Sequence, residues 1–468
     1  MSSPLRAGTA AVDITPPLTI PYLGYAPRQA RFEGVHDRLS ARALVLDDGE
    51  HRIALVTADA IGFADGILGP GRSFRAAFQQ AVAEATGLPP EAVLLAASHA
   101  HSTPETLDIT ALYEVPGAVA WTEALVRALA RAVAEAAAGL QPARLKAGRG
   151  AAAGIAVNRR QLLADGTFWQ PASGPPPAPL LRPGRVDESV GVLLVELEDG
   201  TCSAMANFTC HPVSVQVNPL VSADYPGAAC ALAEASIPQL RHCLFTQGAD
   251  GDINPRRGGS RRDFGDVARY GHILGGEIIK VVEQLRDPEV EAMAAVLGAA
   301  VEELDLPVRP LPAREPLLRE CAAARAAAAD ARTEEERFAA ANRLRAGEEC
   351  LRTIDKGPGP RRTVVQVLRI GDLALAGCPG EPFVDLGLEI KAQSPAPHTL
   401  VVGYANDYVG YLATPAAFAE GGYETTFGAW SRVAPEGGRL VVDAALRLLR
   451  RLWLPAAGST ATRDPAIG

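Results

Sequence analysis

Five short stretches concentrate the residue types that do chemistry. Ser98-His99-Ala100-His101-Ser102 carries two histidines one residue apart, and Cys210-His211-Pro212 carries a third. Gln247-Gly248-Ala249-Asp250-Gly251-Asp252-Ile253-Asn254-Pro255 holds two carboxylates and an amide. Gly380-Glu381-Pro382 adds one carboxylate, and Tyr404-Ala405-Asn406-Asp407-Tyr408-Val409-Gly410-Tyr411 adds three phenols. Neutral imidazole and carboxylate are favoured zinc ligands and the commonest proton-transfer groups. In an extended chain residues two apart share a side, so His99 and His101 can face one pocket. Each stretch alone has a plainer explanation. Histidines are often hydrogen-bonded structural residues, and Asp250 and Asp252 could cap their loop through Asx turns.

What separates the five from scattered polar residues is where they fall. Each follows directly on a predicted strand, at 92–97, 203–209, 242–247, 372–377 and 399–404. The carboxyl edge of a sheet is where α/β proteins build sites, so one polar site, most simply a metal site, is expected. The surrounding pattern supports an α/β fold of mixed, largely buried sheets flanked by helices. Residues 42–48 and 52–59 read as paired strands around Asp48-Gly49. With a helix over 72–87 and the strand 92–97 they suggest a βαβ unit. Further strands are expected at 190–197 and 364–369. Helices are expected at 117–139, 226–236, 265–286 and 438–453. Residues 160–188 are too rich in Pro and Gly for regular structure and read as a binding loop or lid. The Ala/Arg/Glu-rich stretch 312–352 reads as an exposed helical hairpin inserted in the fold. Residues 1–468 are read as one catalytic domain containing that insertion.

Composition narrows the function. A chain of 468 residues that is 48% hydrophobic can bury a large core, and a net charge of −9 gives nucleic acid nothing to neutralise. No apolar run reaches the ~20 residues of a membrane span, and no polybasic segment would hold an anionic membrane. Seven cysteines without a CxxC pair read as buried small hydrophobes. The N-terminus lacks a signal-peptide pattern, so a cytoplasmic protein without a stable membrane anchor is expected. A homo-oligomer is allowed by the composition.

The chain resembles the N-terminal catalytic domain of the neutral (non-lysosomal) ceramidases. The resemblance begins at Ala7-Gly8-Thr9-Ala10-Ala11-Val12-Asp13-Ile14-Thr15-Pro16-Pro17 and continues through Gly24-Tyr25-Ala26 and Gly34-Val35-His36. The SHAHS, CHPVS, GDINP, PGEP and NDYVGYLATP stretches then follow in the family's order over about residues 7–430. That resemblance implies one zinc ion held by His99, His211, Glu381 and Tyr411. It makes His101 either a group that supports the ligands from behind or one that polarises the substrate, sets Tyr408 beside Tyr411, and gives Arg159 a face on the site. The implied chemistry is hydrolysis of an N-acyl amide by zinc-activated water. His101 and Arg159 are then candidates for oxyanion stabilisation, and Asp252 or His101 for proton relay. For Arg159 a salt bridge to Asp187 or Asp224 is the plainer reading. Asn254 stands where ceramidases show serine, so no serine nucleophile is expected there. Arg256, in an arginine-rich loop over 256–262, could read an anionic substrate group, and Phe168-Trp169 could cover an acyl group. No C-terminal accessory domain is expected, and the substrate expected from these signs is a water-soluble amide, with long-chain ceramide a poor one. Hydrolysis of another ester or phosphoester, and a non-catalytic ligand-binding role, are the alternatives.

Overall fold

The apolar, largely buried runs Ser40–Asp47 (β2) and Arg52–Ala58 (β3) fold back at Asp48-Gly49 into an antiparallel pair, with Ala41 opposite Ala58 and Asp47 opposite Arg52. Asp48 closes the turn by accepting from the amides of Glu50 and His51. From β3 the chain enters α1 (Phe74–Thr86), capped by Ser73 and ended by the left-handed Gly87, then returns as the fully buried β4 (Val93–Ala97) parallel to β3. The expected βαβ unit is therefore present. These statements come from a computed structural model that describes residues 5–21, 31–169, 178–182, 184–216, 218–256, 264–357 and 359–454. Gly24-Tyr25-Ala26 and the arginines at 257, 261 and 262 lie outside the described residues.

With β1 (Arg6–Asp13), β5 (Gln141–Ala151), β6 (Ser189–Leu197), β7 (Cys202–Phe208) and β8 (Leu240–Gln247) the first sheet has the order β8-β7-β6-β5-β1-β2-β3-β4. A second sheet has the order β9-β10-β11-β12, from Leu297–Leu306, Arg361–Ile370, Leu373–Gly377 and His398–Val402. Pairing is parallel between β7 and β8 and between β11 and β12, and antiparallel between most others. Buried residues of β6, β7 and β8 share one core with those of β1 to β4 and with α2 (Ala118–Ala138). The helices α3 (Asp224–Ser236) and α4 (Gly265–Leu285) cover the outer face of β6 and β7.

The sheets meet edge to edge where the site lies. Ala96 bridges Ala405, the amide of Gly403 donates to the carbonyl of Gln247, and that of Asn406 donates to Leu95. The Asn406 side chain continues the junction, accepting from the Leu95 amide at 3.1 Å and donating to Gln366 at 2.6 Å.

Two expectations need correction. The 160–188 stretch carries three short strands, Gln161–Leu163, Phe168–Trp169 and Leu180–Arg182, which pair into a small sheet. Residues 312–352 do form a helical hairpin, α5 (Arg314–Asp330) and α6 (Glu334–Asp355, with a Thr333/Glu336 capping box). One face of it, however, is packed rather than solvated. Cys321, Ala324, Ala340, Glu349 and Cys350 are buried.

Candidate functional site

His99 lies two residues beyond β4, and its backbone is left-handed, with φ 67°. A non-glycine residue takes that conformation only where surrounding contacts impose it. Here the His99 amide donates to Ala60 and its ring Nδ1 lies 2.6 Å from the Ile61 carbonyl. Pairing of Nδ1 with a carbonyl puts the ring proton there and leaves Nε2 as a lone-pair donor. Tyr404, itself left-handed at the end of β12, stacks on the ring at 3.9 Å. The SHAHS segment is thus a tight turn, and His99 and His101 converge through it, not through the alternation of an extended chain.

His211 follows β7 and is fixed the same way. Its Nδ1 lies 2.7 Å from the carbonyl of Asp250 and 3.1 Å from that of Ile253. Gln247, at the end of β8, ties the two histidine loops together by donating to the carbonyls of Ser98 and Cys210. The two orientations bring three imidazoles to one point, and the metal-binding nitrogens of His99, His101 and His211 lie within 4.8 Å of one another. His99 Nε2 and His101 Nε2 are 3.2 Å apart.

Glu381 completes the group. The short ladder of Glu381–Pro382 with Tyr411–Leu412 places Glu381 beside Tyr411. Its Oε1 accepts from the Tyr408 hydroxyl at 2.6 Å, and its Oε2 lies 3.1 Å from His211 Nε2 and 3.8 Å from His99 Nε2. Burial holds the His99 ring well below its ordinary pKa, partly offset by Glu381. Burial does the same to His211, helped by the charge of Arg159. Both rings are therefore neutral at pH 7, as ligands must be.

This donor set fits a divalent metal ion. Nε2 lone pairs face one another and a carboxylate oxygen in a buried space, with their outer nitrogens already committed to carbonyls. A bound cation would relieve that crowding of acceptors, and second-sphere carbonyls are the usual support of metal-binding histidines.

Of the four ligands that the resemblance implies, His99, His211 and Glu381 converge directly. His101 joins them more closely than a substrate-polarising role alone requires. Tyr411 lies beside Glu381 in the short ladder and accepts from Arg159 Nη2 at 2.9 Å. Arg159 pairs with neither Asp187 nor Asp224. Its Nε donates to Glu424 at 2.8 Å, its Nη1 to Asn254 at 3.0 Å and its Nη2 also to the Gly251 carbonyl at 2.7 Å. Asp187 pairs with Lys391.

Asp252 is committed structurally. Its two oxygens accept from the Asn158 side chain and the Val384 amide, both at 2.8 Å, and burial pushes its pKa up to about 6. It anchors the start of helix α7 (Val384–Gln393), which leaves it poorly placed to carry protons. Asp250 likewise serves as a support, accepting from the Tyr404 hydroxyl at 2.7 Å. Tyr408 is buried and orients Glu381 rather than facing a substrate. Trp169 is half-buried on the small sheet, paired with Gln161, and Arg256 is exposed.

A largely apolar, partly open pocket of about 680 Å³ lies between the hairpin and the 426–430 turn, lined by Leu317, Ala324, Ala346, Phe427 and Trp430 among others, with the charged Glu320 and Arg343 also in its lining. Trp430 stacks on Tyr423 at 5.4 Å, and Tyr423 meets Tyr411 edge-on at 5.9 Å. A wall of three rings thus runs from the cavity to the polar cluster. Sequence reasoning singled out the stretch that begins at Tyr404 but missed Glu424 and this wall. A glutamate after paired glycines carries no local signal of its role.

The pattern described as neutral/alkaline non-lysosomal ceramidase, N-terminal, matches residues 5–268. The neutral ceramidase of Pseudomonas aeruginosa is 26% identical over 512 residues, covering 96% of this chain and 73% of that protein. The neutral ceramidase of Mycobacterium tuberculosis is 25% identical over 483 residues, covering 88% and 72%. The crystal structure of the Pseudomonas aeruginosa neutral ceramidase shares the fold, with a TM-score of 0.72 at 23% identity over 97% of this chain and 76% of that one. A ceramidase complexed with C2 gives 0.70 at 22% identity, over 96% and 76%. The matched pattern covers more than half of the chain and takes in the loops that carry His99, His101 and His211, so this protein belongs to the neutral/alkaline non-lysosomal ceramidase family.

Proposed function

We propose that this protein hydrolyses the N-acyl amide bond of a lipid-like substrate with the aid of one zinc ion. The observation that carries the reading is the convergence of His99, His101 and His211 with Glu381 in a buried, neutral-histidine site. Family membership supports a hydrolase, and the printed names of the relatives point to ceramide. His99, His211 and Glu381 would hold the ion, with His101 or Tyr411 completing the set. When bound, zinc acidifies a water molecule and polarises the scissile carbonyl.

The chain's own residues do the rest. Tyr408 holds one oxygen of Glu381 so that the other faces the histidines. Tyr411 accepts from Arg159, so its own proton is available to negative charge developing on the substrate oxygen. His101 is the least buried of the three histidines and is the group placed to pass a proton to the leaving amine. The apolar cavity beside Trp430 and Tyr423 would receive the alkyl chain, which favours a lipid-like amide over the water-soluble one expected from composition.

The test is a panel of matched amide, ester and phosphoester substrates presented to the zinc-loaded protein. Zinc-dependent amide cleavage that exceeds the other two is expected. Phosphoester cleavage without amide cleavage would sink the reading.

A further inference from the structure

We infer that Glu424 is the positioning residue of this site, fixing the Arg159 guanidinium so that it meets the Tyr411 hydroxyl. The inference rests on the reading of the site given above. Glu424 lies in the 3₁₀ turn Tyr423–Thr425, 265 residues from Arg159, and is 4% exposed. Its two oxygens divide between two arginines, with Oε1 2.8 Å from Arg159 Nε and Oε2 2.7 Å from Arg160 Nη1. The arginines do different things. Arg160 turns away from the cluster, donating to the carbonyl of Gly421 and lying over the Phe383 ring. Arg159 turns towards it, to Tyr411, Gly251 and Asn254.

A guanidinium is a planar fork, so fixing its Nε edge fixes the direction of both Nη groups. Without that hold, the buried positive charge of Arg159 is free to shift towards the other carboxylates it already interacts with, Glu381 among them. A shift towards Glu381 would pull Arg159 from Tyr411 and draw Glu381 from the histidines. Burial raises the Glu424 carboxyl, but the charges of Arg159 and Arg160 outweigh it and hold the group below its ordinary pKa.

The experiment compares Glu424→Gln, Arg160→Gln and Arg159→Ala, alone and combined, in the full-length zinc-loaded protein. Substrate is whichever member of the amide, ester and phosphoester panel the wild type turns over. Glu424→Gln is expected to lower kcat roughly 10- to 100-fold with KM within about threefold. Arg160→Gln breaks the same carboxylate's other contact, so it is expected to lower Tm while kcat stays within about threefold. In an Arg159→Ala background Glu424→Gln should add nothing, because the group it positions is gone.

Unchanged kcat in Glu424→Gln, equal kcat losses in Glu424→Gln and Arg160→Gln, or additive losses with Arg159→Ala would each overturn the inference. If Glu424→Gln does not fold, Glu424→Asp takes its place under the same criteria. If the wild type cleaves esters but no amide, the proposed function fails while the comparison still decides the role of Glu424. If nothing is turned over, crystal structures of the two variants decide. Arg159 displaced from Tyr411 in the Glu424 variant alone supports the inference, and Arg159 unmoved in it overturns it.

Discussion

At the scale of single residues the site is a problem of crowded acceptors. His99 and His211 give their ring protons to the carbonyls of Ile61 and Asp250, which turns both Nε2 lone pairs inwards towards Glu381. Protonating the rings costs burial energy, so a metal ion is the natural counter-charge. His99→Ala and His211→Ala are therefore expected to lose the roughly one zinc per chain expected in the wild type. Elemental analysis after dialysis checks this, and full zinc content in both variants would defeat the assignment. The nucleophile is settled by a second pair of variants. Asn254 has no hydroxyl and accepts from Arg159, so Asn254→Ala should keep measurable turnover. Glu381→Ala, which removes a ligand and frees the Tyr408 hydroxyl, should lose nearly all of it. Mass spectrometry during turnover should show no acyl-enzyme, and a covalent adduct would refute water as the nucleophile.

At the scale of elements, what the sequence displays and what it hides have separate physical causes. The strands leading to His99, His211, Asp250, Glu381 and Tyr404 are short buried apolar runs, and such runs announce both themselves and the polar residue that ends them. Strand β5 is a poor signal because its residues alternate between half-buried and exposed, and β9 carries Glu302, Glu303 and Asp305. The ladder at 161–182 escaped notice because its strands are two or three residues long. Second-sphere partners were illegible for another reason. Gln247 reaches Ser98 across 149 positions, and Arg159 reaches Glu424 across 265. No local pattern carries such pairings. Asp224, at the start of α3, offers a pH test at this scale. Burial raises its pKa from 3.8 to about 6, while it accepts from the amides of Val215 and Tyr225. A carboxyl whose folded pKa is raised costs stability when ionised, above about pH 6, and that cost disappears as pH falls towards 4. The shift corresponds to about 3 kcal/mol at most. Asn tolerates the left-handed φ of 55° found there. The amide keeps only one of the two acceptor oxygens, a loss that does not vary with pH, so the Tm of Asp224→Asn relative to wild type should rise from pH 5 to pH 7.5. A Tm difference independent of pH would show that the carboxyl is not ionised at the cost described.

At the scale of the molecule, the question is what substrate the fold admits. The hairpin α5–α6 leaves β9 and returns as β10, whose first residue, Arg361, pairs with the last residue of β9, Leu306. Its catalytic neighbours would be complete without it, yet its packed face of small residues leaves a cavity against Phe427 and Trp430 where larger side chains would have closed the gap. Such a space lined by apolar atoms gains little from a short polar ligand, whereas each buried methylene contributes about 0.8 kcal/mol, or roughly fourfold in binding. No helix among the described residues is long and apolar enough to cross a membrane. The expected outcome is that kcat/KM rises with acyl length from an acetyl to a dodecanoyl amide of the same amine. It should exceed by at least about tenfold the value for a short water-soluble amide, with long-chain ceramide in detergent micelles among the good substrates. Ala346→Phe, which adds a ring to the cavity wall without touching His99, His211 or Glu381, should flatten this dependence while leaving the acetyl substrate within about threefold of wild type. A flat length dependence in the wild type, or an unchanged one in Ala346→Phe, would return the substrate to a small soluble amide and leave the cavity without a part in the reaction.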